Sequence, residues 1–478
     1  MTTTYYWHDY ETFGTDPRRD RACQFAGIRT DSNFNVIGEP LTLYCKTPDD
    51  YLPNPEACLI TGITPQLATE KGFCEAEFIT AIHEQLAQPG TCGVGYNSIR
   101  FDDEVTRNLL YRNFFDPYAR EWQNGNSRWD LIDVARAARA LRPDGIIWPQ
   151  GAEGLPSFRL EEITLANGIA HEAAHDALSD VYATIALARL IRQKQTRLYD
   201  YLFGNRTKAA VQKQLQLGSF TPLVHVSGRY PARKNCMAIV LPICTHPRNV
   251  NEVVVYDLSV DPSPLLELDA TAIQQRLFVA TADLPEGEER IPLKTVHINK
   301  SPVLAPLSVI RPEDAERLGI DLALCRSHLA RIQAQTGPAL EQKIAQVFTT
   351  QYPDATNDPD LMIYSGGFFS NNDKAAMIRI RRTPSEQLAQ FAADFDDARL
   401  PQMLFRYRAR NYPETLDTKE NLEWRTFCRE RLLAPDNDGN LMAFLETLKE
   451  LRKQPGANES VLSELQAFAL SKQQQLDD

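Results

Sequence analysis

Two carboxylates stand two residues apart in the opening segment, as Asp9-Tyr10-Glu11 within YYWHDYETFG. In an extended strand, residues i and i+2 point to one face, so Asp9 and Glu11 present their oxygens together. Both sit among aromatic residues, where an uncompensated charge is expensive. A second acidic group follows in Asn97-Ser-Ile-Arg100-Phe101-Asp102-Asp103-Glu104, where a strand ending in Gly95-Tyr96-Asn97 feeds a helix with an acidic first turn. Acids are favoured there by capping and by the helix dipole. The spacing therefore lets one of these carboxylates cap the helix while another faces a metal, and it does not say which. The third piece, His175-Asp-Ala-Leu-Ser-Asp180, places Asp180 one turn inside a further helix and His175 just before it.

Together these pieces supply several carboxylates and one histidine from separate elements. Hard Mg²⁺ takes carboxylate oxygens, needs few protein ligands and retains waters and substrate phosphate. Two such ions about 4 Å apart activate a water and stabilise the departing oxyanion of a phosphodiester. A histidine titrating near neutrality suits deprotonating or orienting that water. No Gly-x-x-x-x-Gly-Lys loop and no Ser/His/Asp nucleophile set competes with this reading.

The elements that must hold these residues alternate. Thr4–Tyr10, Cys23–Thr30, Leu41–Lys46 and Gly90–Tyr96 read as strands, and Glu75–Gln88, Asp103–Phe114, Ile132–Leu141 and Ala177–Arg192 as helices. Such alternation predicts an α/β domain around a mixed sheet. From about residue 195 short β-rich runs take over (Leu223–Val226, Met237–Leu241, Val253–Leu258, Leu277–Ala280 and Leu293–Ile298), which predicts a small barrel or sandwich with helical decoration. Beyond about residue 355 the pattern is helical: Lys374–Arg381, Ser385–Phe395, Leu400–Asn411, Lys419–Leu433, Leu441–Leu451 and Ser460–Gln475. The polar stretch Asp354–Pro359 reads as a linker. The expected domains are 1–194, 195–353 and 354–478.

A chain of 478 residues exceeds what one core usually serves. Its net charge of −12 argues against a nucleic-acid partner at long range. Local basic stretches run the other way: Arg192 to Lys234 carries nine Lys and Arg against Asp200 alone, and further basic side chains recur at Arg379, Arg381 and Arg382 and in Phe405-Arg-Tyr-Arg-Ala-Arg410. A basic, aromatic track in an acidic protein is compatible with holding a strand in a channel, although a run of this kind is also what a solvated helix face looks like. The nine cysteines are scattered and form no zinc set, so they read as buried or neutral thiols of a reducing compartment. No stretch approaches the roughly 18 apolar residues of a membrane helix, and the first residues lack a signal-peptide layout. A cytosolic, monomeric protein is expected.

The order Asp-x-Glu, Asn-x-x-x-Phe-Asp, His-x-x-x-x-Asp resembles the histidine subclass of the DEDD exonucleases. Longer motifs resemble the bacterial exonuclease I family: HDYETFG at His8–Gly14, LITGITP at Leu59–Pro65, GYNSIRFDDEVTRN at Gly95–Asn108, NSRWDLIDV at Asn126–Val134, GLPSFRLE at Gly154–Glu161 and AHDALSDVYATIA at Ala174–Ala186. The resemblance continues through PLVHVSGRY at Pro222–Tyr230, VHINKSPVLA at Val296–Ala305, IRPEDAERLGI at Ile310–Ile320 and YRARNYPETLD at Tyr407–Asp417, and is looser beyond. It implies an RNase H-like exonuclease domain, an SH3-like barrel domain and a helical C-terminal domain. It also implies a 3′→5′ exonuclease of single-stranded DNA that yields 5′-mononucleotides in repair and recombination.

Motif by motif, the resemblance makes Asp9, Glu11, Asp102 and Asp180 ligands of two Mg²⁺ ions, which Mn²⁺ can replace, and His175 the general base. Asp102 is preferred to Asp103 because it directly follows Phe101. Glu11 and Arg159 would meet the substrate near the scissile end, and Arg107, Tyr118, Trp122 and Arg136 would line the strand. Aromatics stack on bases without sequence preference and arginines hold phosphates, so the types fit, although Tyr118 and Trp122 are equally at home in a core. A partner is implied too, the single-stranded-DNA-binding protein, whose acidic tail would dock on a basic pocket sought near Arg379–Arg382. Two other readings stay open on the residues: a 3′ exonuclease of RNA, whose phosphodiester is the same, and a non-catalytic DNA-binding adaptor. The presence of all five active-site groups speaks against the adaptor.

Overall fold

The computed structural model describes residues 3–151, 154–171, 175–335, 337–349, 356–434 and 439–477. The chain packs as two compact units. One comprises residues 1–127, 171–182 and 354–478, the other 128–170 and 183–353.

The first unit is built on strands β1 (Thr4–Thr12), β2 (Ala22–Thr30), β3 (Leu41–Tyr44) and β4 (Thr91–Gly95), side by side in the order β3-β2-β1-β4. β1 runs antiparallel to β2 and parallel to β4, so the sheet is mixed. β1 and β2 are buried along nearly their whole length, as near-continuous aromatic and aliphatic runs require. Four helices follow from familiar signals. α1 (Pro55–Thr61) and α2 (Pro65–Lys71) each start on proline behind a side-chain cap, Asn54 and Thr64. α3 (Glu75–Leu86) turns Phe78, Ile79, Ile82 and Leu86 into a core with Tyr6, Tyr10 and Phe25. α4 (Asp102–Arg112) packs Val105, Leu109 and Leu110 into the same core.

The C-terminal helices share two cores with this sheet domain. Phe13, Tyr51, Leu52 and Cys58 pack with Trp424, Leu441, Phe444, Leu462 and Leu465, while Tyr111 and Phe114 pack with Met377, Ile380, Leu400 and Tyr407. The seam beside them is charged. Arg410 reaches Asp360 at 2.6 Å and Asp50 at 2.8 Å, Arg406 reaches Asp360 at 3.1 Å, and Arg408 reaches Glu420 at 2.6 Å. This overturns the expectation of a strand-binding track at Phe405–Arg410: Arg406 and Arg408 are buried, the Arg410 side chain is 4% exposed, and all three are bound to acids. The expected linker changes too. Asp354 and Ala355 lie outside the described residues, but Pro359 and Asp360 are buried in a short 3-10 turn, Pro359–Leu361, that anchors the seam.

The second unit holds β5 (Ser127–Asp130) apart from its first residue, and then α5 (Leu131–Leu141) and α6 (Leu160–Ala166). Its sheet contains β6 (Leu223–Val226), β7 (Met237–Thr245), β8 (Glu252–Asp257), β9 (Leu293–His297) and β10 (Val303–Pro306). All pairings are antiparallel, in the order β10-β6-β7-β8-β9. The run Leu277–Ala280, expected as a strand, instead closes the helix Ala270–Phe278, whose Ile273 and Leu277 turn inward; a four-residue apolar run does not distinguish the two. β10, unannounced in the sequence reading, closes one edge of the sheet. In the C-terminal region the expected helix Ser385–Phe395 shortens to a 3-10 segment, Ser385–Gln390.

The described cysteines are free, seven of them buried, and burial pushes the Cys23, Cys45 and Cys58 thiols above their ordinary range. Among the described residues no helix is long and apolar enough to cross a membrane.

Candidate active site

Asp9 and Glu11 lie on the same side of β1, as the two-residue period requires. Asp180 comes to them from the first turn of α7 (Ala177–Lys194). One ligand oxygen from each of Asp9, Glu11 and Asp180 falls within 4.8 Å of the others. Asp102 opens α4 and turns toward β1, where its Oδ1 accepts the Tyr10 backbone N–H at 3.1 Å. The neighbouring Asp103 goes the other way, into a buried ion pair with Arg120 at 2.7 Å. The approach of β4 to β1 sets this turn. A Cβ on Gly95 would come within 2.6 Å of Ser98 Cβ and 2.9 Å of the His8 carbonyl, so the chain passes here only without a side chain.

The electrostatics of the group are those of buried acids crowded against one another. Burial first, and then the neighbouring Asp180, Asp102 and Asp176, raise the Glu11 carboxyl to about 8. Asp9 is raised well above its ordinary range by burial, then by Asp102, Glu11, Asp180 and Asp176. Asp180 is raised by burial, against the lowering effect of His171. Like charges on hard oxygens, gathered from three elements, suit a divalent cation that would neutralise them, and a histidine or thiolate set would not.

Two histidines flank Asp180. His171 Nε2 lies 2.5 Å from Asp180 Oδ1. His175 is exposed, in the left-handed region at φ 66°, and its backbone N–H donates to the Asp180 carboxylate. The sequence reading singled out His175 and passed over His171, four residues earlier; two histidines ahead of an inward carboxylate were the available signal.

The residues expected along the strand fare differently. Arg107 is buried and its guanidinium is committed, to Glu121 at 2.7 Å and Glu104 at 2.8 Å, with the Tyr364 hydroxyl at 3.2 Å. It also lies over the Tyr118 ring at 5.3 Å. Tyr118 is half-buried, whereas Trp122 is 65% exposed, an aromatic surface and not a core residue. The sequence reading missed two neighbours of this group. Phe368, 88% exposed, meets the Tyr118 ring edge-on at 6.4 Å, and the Tyr364 hydroxyl bonds Glu104. Exposed aromatics either side of Gly366-Gly367 would have been the clue. Arg159 and Arg136 belong to the second unit. Arg159 is exposed at the start of α6, 3.5 Å from Glu162. Arg136, on α5, bonds Asp133 at 2.6 Å and lies over the Phe158 ring at 5.7 Å.

A mixed sheet carrying paired acids, met by a helix-borne aspartate and attendant histidines, defines a metal-dependent nuclease domain. An exonuclease family model matches residues 6–188, the exonuclease I SH3-like domain model residues 206–350, and the exonuclease I C-terminal domain model residues 357–472. Exodeoxyribonuclease I of Escherichia coli (strain K12) is 51% identical over 429 residues, 90% of each chain. Two solved structures align over almost their full length. That of E. coli exonuclease I in complex with a dA16 oligonucleotide has a TM-score of 0.94 at 47% identity, covering 98% of this chain and 100% of that one. That of an ExoI/SSB-Ct complex has a TM-score of 0.91 at 46% identity, covering 99% and 100%. The chain belongs to the exonuclease I family, and it is an exonuclease dependent on a divalent metal.

Proposed function

We propose that Asp9, Glu11, Asp102 and Asp180 hold two Mg²⁺ ions and that His175 is the general base of a phosphodiester hydrolysis. The protein is a 3′→5′ exodeoxyribonuclease acting on single-stranded DNA. The observation that carries the reading is the convergence of Asp9, Glu11 and Asp180 oxygens within 4.8 Å, with carboxyls raised by burial and, for Asp9 and Glu11, by the neighbouring carboxylates. Bound there, Mg²⁺, or Mn²⁺ in its place, supplies Lewis acidity at the scissile phosphate and makes water a better nucleophile at neutral pH. The carboxylates fix the site from β1, α4 and α7. His175, exposed at the lip, takes the proton of the attacking water. Trp122, Tyr118 and Phe368 offer ring faces for bases, and Arg107 braces Tyr118 from behind while its own charge stays on Glu104 and Glu121. In the second unit, Arg159, exposed beside Glu162, and Arg136, paired with Asp133, are the arginines assigned to phosphates. The products are 5′-mononucleotides, and the setting is cytoplasmic DNA repair and recombination.

The test is a 5′-labelled single strand, as DNA and as RNA, incubated with Mg²⁺ and with EDTA. A DNA ladder shortening from the 3′ end, abolished by EDTA, is expected; equal loss of RNA would move the reading to RNA processing. Asp180→Ala should lower turnover by on the order of 10³-fold or more, since a metal contributes several kcal/mol at the transition state, while strand binding persists; wild-type turnover would remove Asp180 from the site. His175→Ala should slow the chemical step about 10²- to 10⁴-fold and leave metal affinity intact. An unchanged rate would remove His175 from the mechanism.

The acidic tail of the single-stranded-DNA-binding protein is the protein partner of this reading. Arg381, in the stretch first considered for it, lies over the Phe115 ring at 3.8 Å and donates to the Phe114 carbonyl. A better cradle lies in the second unit. Arg311, Arg317 and Arg142 converge on buried Asp314 at 2.7, 3.2 and 3.3 Å, and Arg311 also pairs with Glu313 at 3.2 Å. The three guanidiniums are partly exposed, so their outer N–H groups can meet a carboxylate. Arg317→Ala should weaken binding of an acidic C-terminal peptide, measured by fluorescence anisotropy; unchanged binding would exclude this cradle.

A further inference from the structure

The raised, mutually repelling carboxylates on β1 and α7 need something to hold α7 against the sheet, and the polar contact between them runs through Gln24. Gln24 lies on β2 directly opposite Glu11 on one side and Tyr44 on the other, so the three side chains form a row on one face of the sheet. It is almost fully buried. Its amide is used at both ends: Nε2 donates to Tyr44 Oη at 3.0 Å and to Asp176 Oδ1 at 3.3 Å, while Oε1 accepts the Ala177 backbone N–H at 3.3 Å. Asp176 completes the junction. Its other carboxylate oxygen accepts the Ser179 N–H at 3.2 Å, and its carbonyl accepts the Asp180 N–H at 3.0 Å.

We propose that Gln24 is a positioning residue that fixes the start of α7, and with it Asp180 and His175, at the working distance from Asp9 and Glu11. A glutamine does this where a charged residue would not. It adds no charge to an acidic group already crowded, and its amide offers a donor and an acceptor to a side chain and a backbone one residue apart. The tie also gives Asp176 a task other than ligation. Its two oxygens are taken by Gln24 and by the first turn of α7, so it acts as the helix cap. Groups that orient metal ligands from behind commonly govern metal affinity and rate without touching substrate.

The inference rests on the reading of Asp9, Glu11 and Asp180 as metal ligands. The full-length Gln24→Met protein, which keeps the volume and loses the amide, should show kcat and Mn²⁺ affinity reduced roughly 10- to 100-fold. KM, single-strand affinity in EDTA and the thermal midpoint should stay near wild type. Amide hydrogen exchange at residues 177–180 should quicken. Asp176→Ala removes the same tie from the half-buried side and keeps the test open should Gln24→Met fold poorly. The double variant should be no slower than the slower single. Full kcat and Mn²⁺ affinity in either single variant overturns the proposal, as does a loss of strand affinity and thermal stability in proportion to kcat, which would mark a merely structural role. If Asp180→Ala also turns over normally, the ligand assignment has failed; if Asp180→Ala is inert and Gln24→Met is unimpaired, only the positioning role has failed.

Discussion

Glu11 and Asp50 are both buried acids of the first unit, yet their protons are held in opposite ways. Around Glu11 burial and three other carboxylates act together, and its carboxyl is raised to about 8. Around Asp50 burial acts alone in that direction and is outweighed by Arg410, Arg431 and Arg21, which hold its carboxyl well below the usual range. Asp360 and Glu75, in the same seam, are likewise buried and are brought down to about 2 by Arg410 and Arg406 and by Arg112 and Arg21. One group of acids is surrounded by arginines of the chain, whereas the neighbours that act on Glu11 are further carboxylates. Burial of charge is tolerated when it is paired, so the group crowded with other carboxylates is where we place a cation from outside the chain.

The largest effect that can break this comparison is removal of a cation from the closed group. Arg410→Met would leave Asp50 and Asp360 facing each other in the interior without the guanidinium that now bonds both. Breaking a buried pair from one side costs about 3–5 kcal/mol, so the urea midpoint of the metal-free protein should fall sharply while kcat per folded molecule stays near wild type. A loss of kcat at unchanged stability would show that the seam serves catalysis and that the two groups are not distinct in kind.

The contrast also separates what was legible in the sequence from what was not. The two-residue spacing of Asp9 and Glu11 required only that β1 be a strand, and its aromatic, continuously buried run made it one. Asp180 one turn into its helix was equally local. The partners of these buried charges were not local: Arg406 and Arg410 read as a basic track because Asp358 and Asp360 stand some 50 residues away in sequence and Asp50 far further, while Glu420 meets Arg408 from the next helix. The motif chose Asp102 over Asp103 because it directly follows Phe101, but the task of Asp103 needed Arg120, which reaches it from beyond α4. His171 was missed because the His-x-x-x-x-Asp spacing pointed to His175, and only the fold brings His171 beside Asp180. Short apolar runs failed for another reason, since Leu277–Ala280 has too few residues to distinguish a strand from the end of a helix.

A smaller effect sharpens the comparison through pH, because the two groups must respond with opposite sign. Asp360 and Glu75 have folded-state pKa values depressed to about 2, so their contribution is present above their ordinary range near 4 and is lost as pH falls toward 2. Glu11, with Asp9 and Asp180, is raised in the folded state. Its contribution is therefore complete below its ordinary value of 4.5 and is lost as pH climbs through about 8. A metal that binds the deprotonated carboxylates competes with those protons, and its stabilisation grows where the protons have left. The rise in thermal midpoint on adding saturating Mg²⁺ should thus be larger at pH 8 than at pH 6. Glu11→Gln, which removes the group that titrates across that window, should flatten the pH dependence of the metal-free midpoint between the two values. An Mg²⁺ increment equal at both pH values, with Glu11→Gln unchanged in slope, would mean that the open group is neutralised from within the chain after all, and that the two sets of buried acids differ only in which side chains surround them.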